Sequence, residues 1–155
     1  MAKSYWLMKS EPHVYSLDDL KGDKTTHWDG VRNYQARNHM MAMKKGDEVL
    51  FYHSQQTPPG AVGVARVVRE AYPDFTQFDK RSKYYDAKSS EEKPRWHMVD
   101  VRYVKKFKSE VGLPDIKARK SLKDMVLVNN SRLSVQPVRK KEFDMIVKIG
   151  GQAKR

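Results

Sequence analysis

The run Glu48-Val49-Leu50-Phe51-Tyr52-His53-Ser54, the connection Gln55 to Gly60 and the β-rich stretch Ala61 to Tyr72 constrain the fold more than any other part of the chain. Two β-formers joined by a loop ending Pro-Pro-Gly read as an antiparallel hairpin, so a sheet has to lie at the centre. Gly63 inside the second strand marks a bulge or a place where another backbone or a ligand comes close. Tyr5 to Ser10 reads as a further strand, closed by Glu11-Pro12 because proline cannot continue a ladder. Trp96 to Phe107 alternates, with Val99, Val101 and Tyr103 on one face and Trp96, Met98, Asp100 and Arg102 on the other. Leu133 to Val138 is the last strand. Between them, Ser16 caps a short helix that Gly22 ends, and Gln35 to Lys45 forms a second with Gly46 in the stop position. Lys140 to Ile149 forms a terminal helix with Phe143, Ile146 and Val147 on one side. Leu113 to Ile116 and Ser121 to Met125 form short helical turns, while Thr76 to Arg95 loses its periodicity and reads as a mobile basic loop. Hairpin pairing without regular β-α-β alternation predicts an α+β fold around a curved antiparallel sheet or small barrel. A single domain should span residues 1–155, with 151–155 a frayed tail.

Composition narrows the chemistry. The 155 residues contain no cysteine, which excludes disulfides, thiolate catalysis and Cys-based zinc sites. The five histidines show no i,i+4 pair and no H-E-x-x-H, so no metal is expected. No phosphate loop is present, so a nucleotide cofactor is not expected either. No apolar run approaches membrane-spanning length and no leader pattern opens the chain, which predicts a cytoplasmic protein, nuclear if the source is eukaryotic. The net charge of +12 is uneven: residues 1–78 carry 10 Lys/Arg against 9 Asp/Glu, residues 79–155 carry 21 against 10. Such asymmetry points to a polyanion, and nucleic acid fits better than a membrane, because no helix combines a basic face with a broad apolar one.

The stretch from His27 to Asn38 carries the most chemistry per residue. Trp28 and Tyr34 offer flat faces for stacking, Asn33 and Gln35 read donor and acceptor edges, and Arg32 meets a phosphate or a carbonyl. That is what holding a nucleobase requires; the alternative is a polar loop that Trp28 anchors to the core. Lys9, Ser10 and Glu11 at a strand exit form either a site or a surface turn. His53 and Ser54 end another strand, but neighbours on a strand point to opposite faces and are badly placed to share a proton. They read as hydrogen-bonding groups. Arg132, Ser134 and Gln136 fall on one strand face, lining a groove or facing solvent.

Taken in order, Tyr5-Trp6-Leu7-Met8-Lys9-Ser10-Glu11-Pro12, Trp28 through Asn38, Gly46-Asp47 through Ser54, Gly63-Val64-Ala65-Arg66, Tyr72-Pro73-Asp74 and Arg132 through Pro137 resemble the EVE domain family over almost the whole chain. The resemblance implies a PUA-like pseudo-barrel of about five to six mostly antiparallel strands with short peripheral helices, related to the YTH domain. It also implies a non-enzymatic module that binds a flipped modified base, a 5-methylcytosine derivative in DNA, with RNA as the other polymer. A base pocket would then be lined by Ser10, Glu11, Trp28, Val31, Arg32, Asn33, Tyr34, His53, Ser54 and Ser134. Lys105, Lys106, Lys108 and Arg132 are the candidates for the nucleic-acid backbone, and a monomer is expected. The competing reading is a small hydrolase acting on a modified base or nucleoside, with Glu11 and Lys9 as acid and base.

Overall fold

The computed structural model describes residues 3–152. One six-stranded sheet runs in the order β2-β5-β4-β3-β1-β6, with β1 Tyr5–Ser10, β2 Thr25–His27, β3 Glu48–His53, β4 Gly60–Pro73, β5 His97–Gly112 and β6 Val135–Val138. The β3–β4 hairpin forms as the sequence predicts, and β4 continues antiparallel to β5. One pair differs in kind. β1 lies parallel to β3, because α1 (Leu17–Asp23), β2 and α2 (Tyr34–Ala42) intervene and carry the chain back to the starting end. The sheet is therefore mixed and open, with β2 and β6 at its edges, and the α+β class holds. β2 is a strand that sequence patterning did not register, being only three residues long.

Alternation along the central strands sorts side chains between two buried clusters. Trp6, Met8, Val49 and Phe51 join Leu17, Leu20, Met40 and Trp28 in one. Leu7, Leu50 and Tyr52 join Ile116, Leu127, Phe143 and Ile146 in the other, with α3 (Leu113–Ala118), α4 (Val126–Asn129) and α5 (Lys140–Gly150). Burying residues of Leu, Ile or Phe size stabilises by about 1.5–3 kcal/mol each, so filling both faces is the main driving force for the fold. Gly63 sits at a break in the β4–β5 register, where a Cβ would run into the Lys105 carbonyl and the Leu17 side chain. Gly150 ends α5 under the Phe107 ring.

The helix starts follow local chemistry. Ser16 and Asp19 form a reciprocal capping box on α1, which runs past Gly22 and stops at Lys24, in a positive-φ conformation. The Asn33 side chain accepts from the Ala36 N–H and so opens α2 one residue earlier than the periodicity predicts. Of the tail expected to fray, Gly151 donates to the Val147 carbonyl at 3.0 Å; residues 153–155 lie outside the described residues. Among the described residues no helix is long and apolar enough to cross a membrane.

The segment 76–95 corrects the expectation of a mobile loop. Gln77 is completely buried: its amide donates to the carbonyls of Asp74 and Trp96, while its Oε1 accepts from Ser89 Oγ and from the Arg95 and Trp96 N–H groups. Asp86 accepts from the Trp96 indole at 2.8 Å. One buried amide with all its hydrogen-bonding capacity in use closes the segment onto the start of β5.

Candidate functional site

The end of β1, the turn after it, β2 and the Trp28 loop enclose an open cleft of about 610 Å³. Its walls include Lys9, Ser10, Glu11, Tyr15, Trp28 and Tyr84. Each wall has a local cause. Glu11-Pro12 ends the β1 ladder, and the following turn folds back so that Ser10 Oγ donates to the Tyr15 carbonyl at 2.5 Å. The Tyr15 hydroxyl donates to Asp23 at 2.8 Å, and burial above all pushes its pKa up to about 12. On the far side the Trp28 N–H donates to Val99 and extends the β2–β5 pairing by one residue. Trp28 is 9 % exposed, and its ring meets the Phe51 ring edge-on at 5.4 Å. Trp28 thus anchors its loop to the core and still presents a side to the cleft, so both readings of it describe the same ring.

The loop beyond Trp28 is held from beneath by Asp74, a completely buried carboxylate. It accepts from the Gly30 N–H at 2.8 Å, from Arg32 Nη1 at 3.0 Å and from the Thr76 N–H and hydroxyl. Burial raises its pKa, but the hydrogen bonds from Thr76, Gly30 and Arg32 and the guanidinium charge outweigh this and hold it below the usual carboxylate range. Gly30 takes φ +82°, open to glycine at little cost, and the Tyr84 ring lies against its bare Cα. Arg32 also donates to the Tyr84 carbonyl through Nε and Nη2, at 3.1 and 2.9 Å. Tyr84, fifty-two residues further on, is thereby fixed as a cleft wall. Nothing in its lysine- and tyrosine-rich surroundings announces this.

Of the residues singled out from the sequence, Ser10, Glu11, Trp28, Val31, Arg32 and Ser134 line the cleft. Arg32 does so with its guanidinium bonded to protein acceptors. Asn33 is the cap of α2. Tyr34 stands outside the cleft, 51 % exposed, stacked on Trp96 at 4.8 Å with the Arg37 guanidinium on its ring. His53 is buried, and its Nε2 accepts from the Leu17 N–H at 3.1 Å, so it completes the start of α1. Burial lowers its pKa, with Glu110, Gln56 and Asp18 pulling the other way, in keeping with a ring that accepts rather than donates. Ser54 is tied to β1 by its N–H on the Ser10 carbonyl and does not reach the cleft. Gln136 does not share a groove with Arg132 and Ser134: it is buried, with its amide on the Leu133 carbonyl at 2.7 Å.

Lys9 Nζ donates to the Ser131 carbonyl, and burial pulls its pKa below the usual lysine value. Glu11 pairs with His13 at 3.3 Å near the surface. Lys105, Lys106 and Lys108 lie on β5 away from the cleft, with Lys106 paired to Asp18 at 3.0 Å; Arg132 is exposed in the turn before Ser134. His27 and Asp29, from the stretch His27 to Asn38, also line the cleft, as does Lys83, which no sequence pattern picks out. Among the described residues no group of three His, Asp or Glu side chains is placed to hold a metal ion. Chemically, the arrangement provides aromatic side chains from Trp28, Tyr15 and Tyr84, two carboxylates in Glu11 and Asp29, and one ammonium group in Lys83 beside the protein-bonded Lys9 and Arg32.

The chain matches the EVE domain model over residues 4–149. Human thymocyte nuclear protein 1 is 46% identical over 165 residues, which cover 94% of this chain and 73% of that protein. A hypothetical protein from Leishmania major superposes with a TM-score of 0.93 at 51% identity, covering 96% of this chain and 95% of its own. Human THYN1 protein in complex with 5-methylcytosine containing DNA superposes with a TM-score of 0.91 at 45% identity, covering 98% of this chain and all of that one.

Proposed function

The chain belongs to the EVE domain family, and on that premise we propose that it binds DNA and reads a modified cytosine turned out of the base stack into the cleft. The observation that carries this reading is the cleft itself: about 610 Å³, with Trp28, Tyr15 and Tyr84 and the carboxylates Glu11 and Asp29 in its lining. Ligand pockets run from about 300 to 1,000 Å³, and an aromatic-walled one of this size accommodates a single base with part of its sugar. Extruding a base costs a few kcal/mol, which stacking on an aromatic wall offsets at about 1–3 kcal/mol per base. Asp29 and Glu11 accept from the exocyclic amine that cytosine carries. The human relative solved with 5-methylcytosine containing DNA supports the polymer and the class of base.

The reading is of binding without turnover. Two of the groups that a hydrolase would use are engaged elsewhere: Lys9 with the Ser131 carbonyl and Ser10 with the Tyr15 carbonyl. One methyl group discriminates by only about 1–3 kcal/mol in an apolar pocket, so preference over plain cytosine is modest unless a polar mark meets a buried partner.

A binding panel tests this: identical oligonucleotides, DNA and RNA, carrying cytosine or its 5-modified derivatives, titrated against wild type and Trp28→Phe. Modified DNA should bind best, and Trp28→Phe should erode that preference while keeping the fold through the Phe51 contact. Equal affinity across the panel, or release of a base or nucleoside during incubation, overturns the proposal.

A further inference from the structure

Phe75 is an exposed aromatic side chain that does not line the cleft. It is 51 % exposed, and its ring meets the His27 ring edge-on at 4.9 Å. His27 lines the cleft. Phe75 therefore stands one ring outside the cleft wall. An exposed phenylalanine by itself needs no explanation; its footing is what sets this one apart. Asp74 before it and Gln77 after it are both completely buried, and the Asp74 N–H donates to the Trp96 carbonyl at 3.0 Å. Asp74 is also the carboxylate that holds Gly30 and Arg32. The same buried group thus fixes the loop that forms the cleft and the short 3₁₀ turn, Phe75–Phe78, that presents the ring beside it.

Resting on the proposed reading of the cleft, we infer that Phe75, backed by His27, is the wedge that enters the DNA stack where the base drawn into the cleft has left. An extruded base leaves a gap one base step high, about 3.4 Å along a strand, which an aromatic ring fills. Proteins that unstack duplex steps insert such apolar side chains, Phe and Leu among them. Rigidity matters to a wedge, since a side chain that has to be ordered on binding returns part of the stacking energy as lost entropy. The ligand class that follows is duplex DNA, because a free strand has no continuous stack to be repaired. Lys83, on the cleft wall and 5.0 Å from the Tyr84 ring centroid, lies within the same surface and supplies a cation for the phosphates beside the gap.

The test compares wild type, Phe75→Ala and Phe75→Leu on three ligands of one sequence: a duplex with a single 5-methylcytosine, the unmodified duplex, and the 5-methylcytosine strand alone. Phe75→Ala should weaken binding to the modified duplex roughly tenfold, the loss of one stacking partner, and leave single-strand affinity unchanged. Phe75→Leu should retain most duplex affinity, since leucine also serves as a wedge. Both variants keep the fold, the ring being on the surface, and a melting curve verifies it. If Phe75→Ala weakens duplex and single strand equally, or weakens neither while wild type still prefers the modified duplex, the wedge is overturned and the cleft reading stands. If wild type shows no preference for the modified base in either form, the cleft reading fails and the wedge with it.

Discussion

Arg32 and Asp74 meet at 3.0 Å across forty-two residues of sequence, the carboxylate completely buried and the guanidinium also gripping the Tyr84 carbonyl. Through that pair, one side chain beneath the cleft determines where three of its walls stand. Asp74→Asn should cost about 3 kcal/mol in urea unfolding, the lower end for a broken buried pair, because Arg32 keeps 21% of its side chain in water. The pH dependence has a definite sign. A carboxylate held below its unfolded value of 3.8 stabilises the fold above that value, and the contribution is lost as pH falls through the lower folded value. Asp74→Asn should flatten that part of the acid transition, and an unchanged acid limb would mean the buried pair contributes nothing to it.

His53 gives a second acid effect at milder pH. Its neutral ring accepts from Leu17, so protonation breaks a buried contact. An unfolded histidine takes up a proton near pH 6.5, whereas burial lowers the folded value. Stability is then full above 6.5 and declines as pH drops towards the folded value, where it levels. His53→Gln retains an acceptor and cannot titrate, so it should reduce this slope in denaturation midpoints measured from pH 7.5 downward. Part of the slope should remain, since His39 and His97 are also lowered by burial.

Gly30→Ala should damage the cleft from its rim. The position sits at φ +82°, which costs an L residue about 1–2 kcal/mol, and a Cβ there stands 2.6 Å from the Tyr84 ring. Tyr84 has to swing away, and the wall it forms goes with it. Loss of affinity for modified DNA together with a stability loss of that size is the expected result. Affinity equal to wild type would show that Tyr84 takes no part in binding.

Salt dependence reports on the basic face of β5. Lys105 and Lys108 are exposed, whereas Lys106 is engaged with Asp18. Replacing all three by glutamine should weaken modified and unmodified duplexes alike and reduce the salt slope by roughly 1.8, two phosphate contacts at about 0.9 each. A slope that does not move would place the backbone contacts elsewhere, with Lys83 on the cleft wall and the exposed Arg132 the next to vary.

The sequence by itself determined the features that depend on neighbours along the chain. The β3–β4 hairpin follows from two β-rich runs and a Pro-Pro-Gly loop, and the α1 start from Ser16 with Asp19 three residues on. The split of Trp6 and Met8 from Leu7 follows from the period of a strand. Motif order was enough for the family, and with it a first set of cleft residues in Ser10, Glu11, Trp28, Val31, Arg32 and Ser134. Tertiary structure decided which polar side chains remained available. His53, Asn33 and Tyr34 have the chemistry of a base pocket, yet His53 completes the first turn of α1, Asn33 caps α2 and Tyr34 stacks outward on Trp96. Tyr84 and Lys83 have no local signature and come to the cleft because Gln77 and Asp86 fasten their segment to Trp96. Hydrogen bonding within a few residues and side-chain periodicity are short-range constraints that a sequence displays directly. The composition of a cleft depends on which strand ends and loops meet in space, and there most buried polar groups are taken up by partners within the protein before any is left to face a ligand.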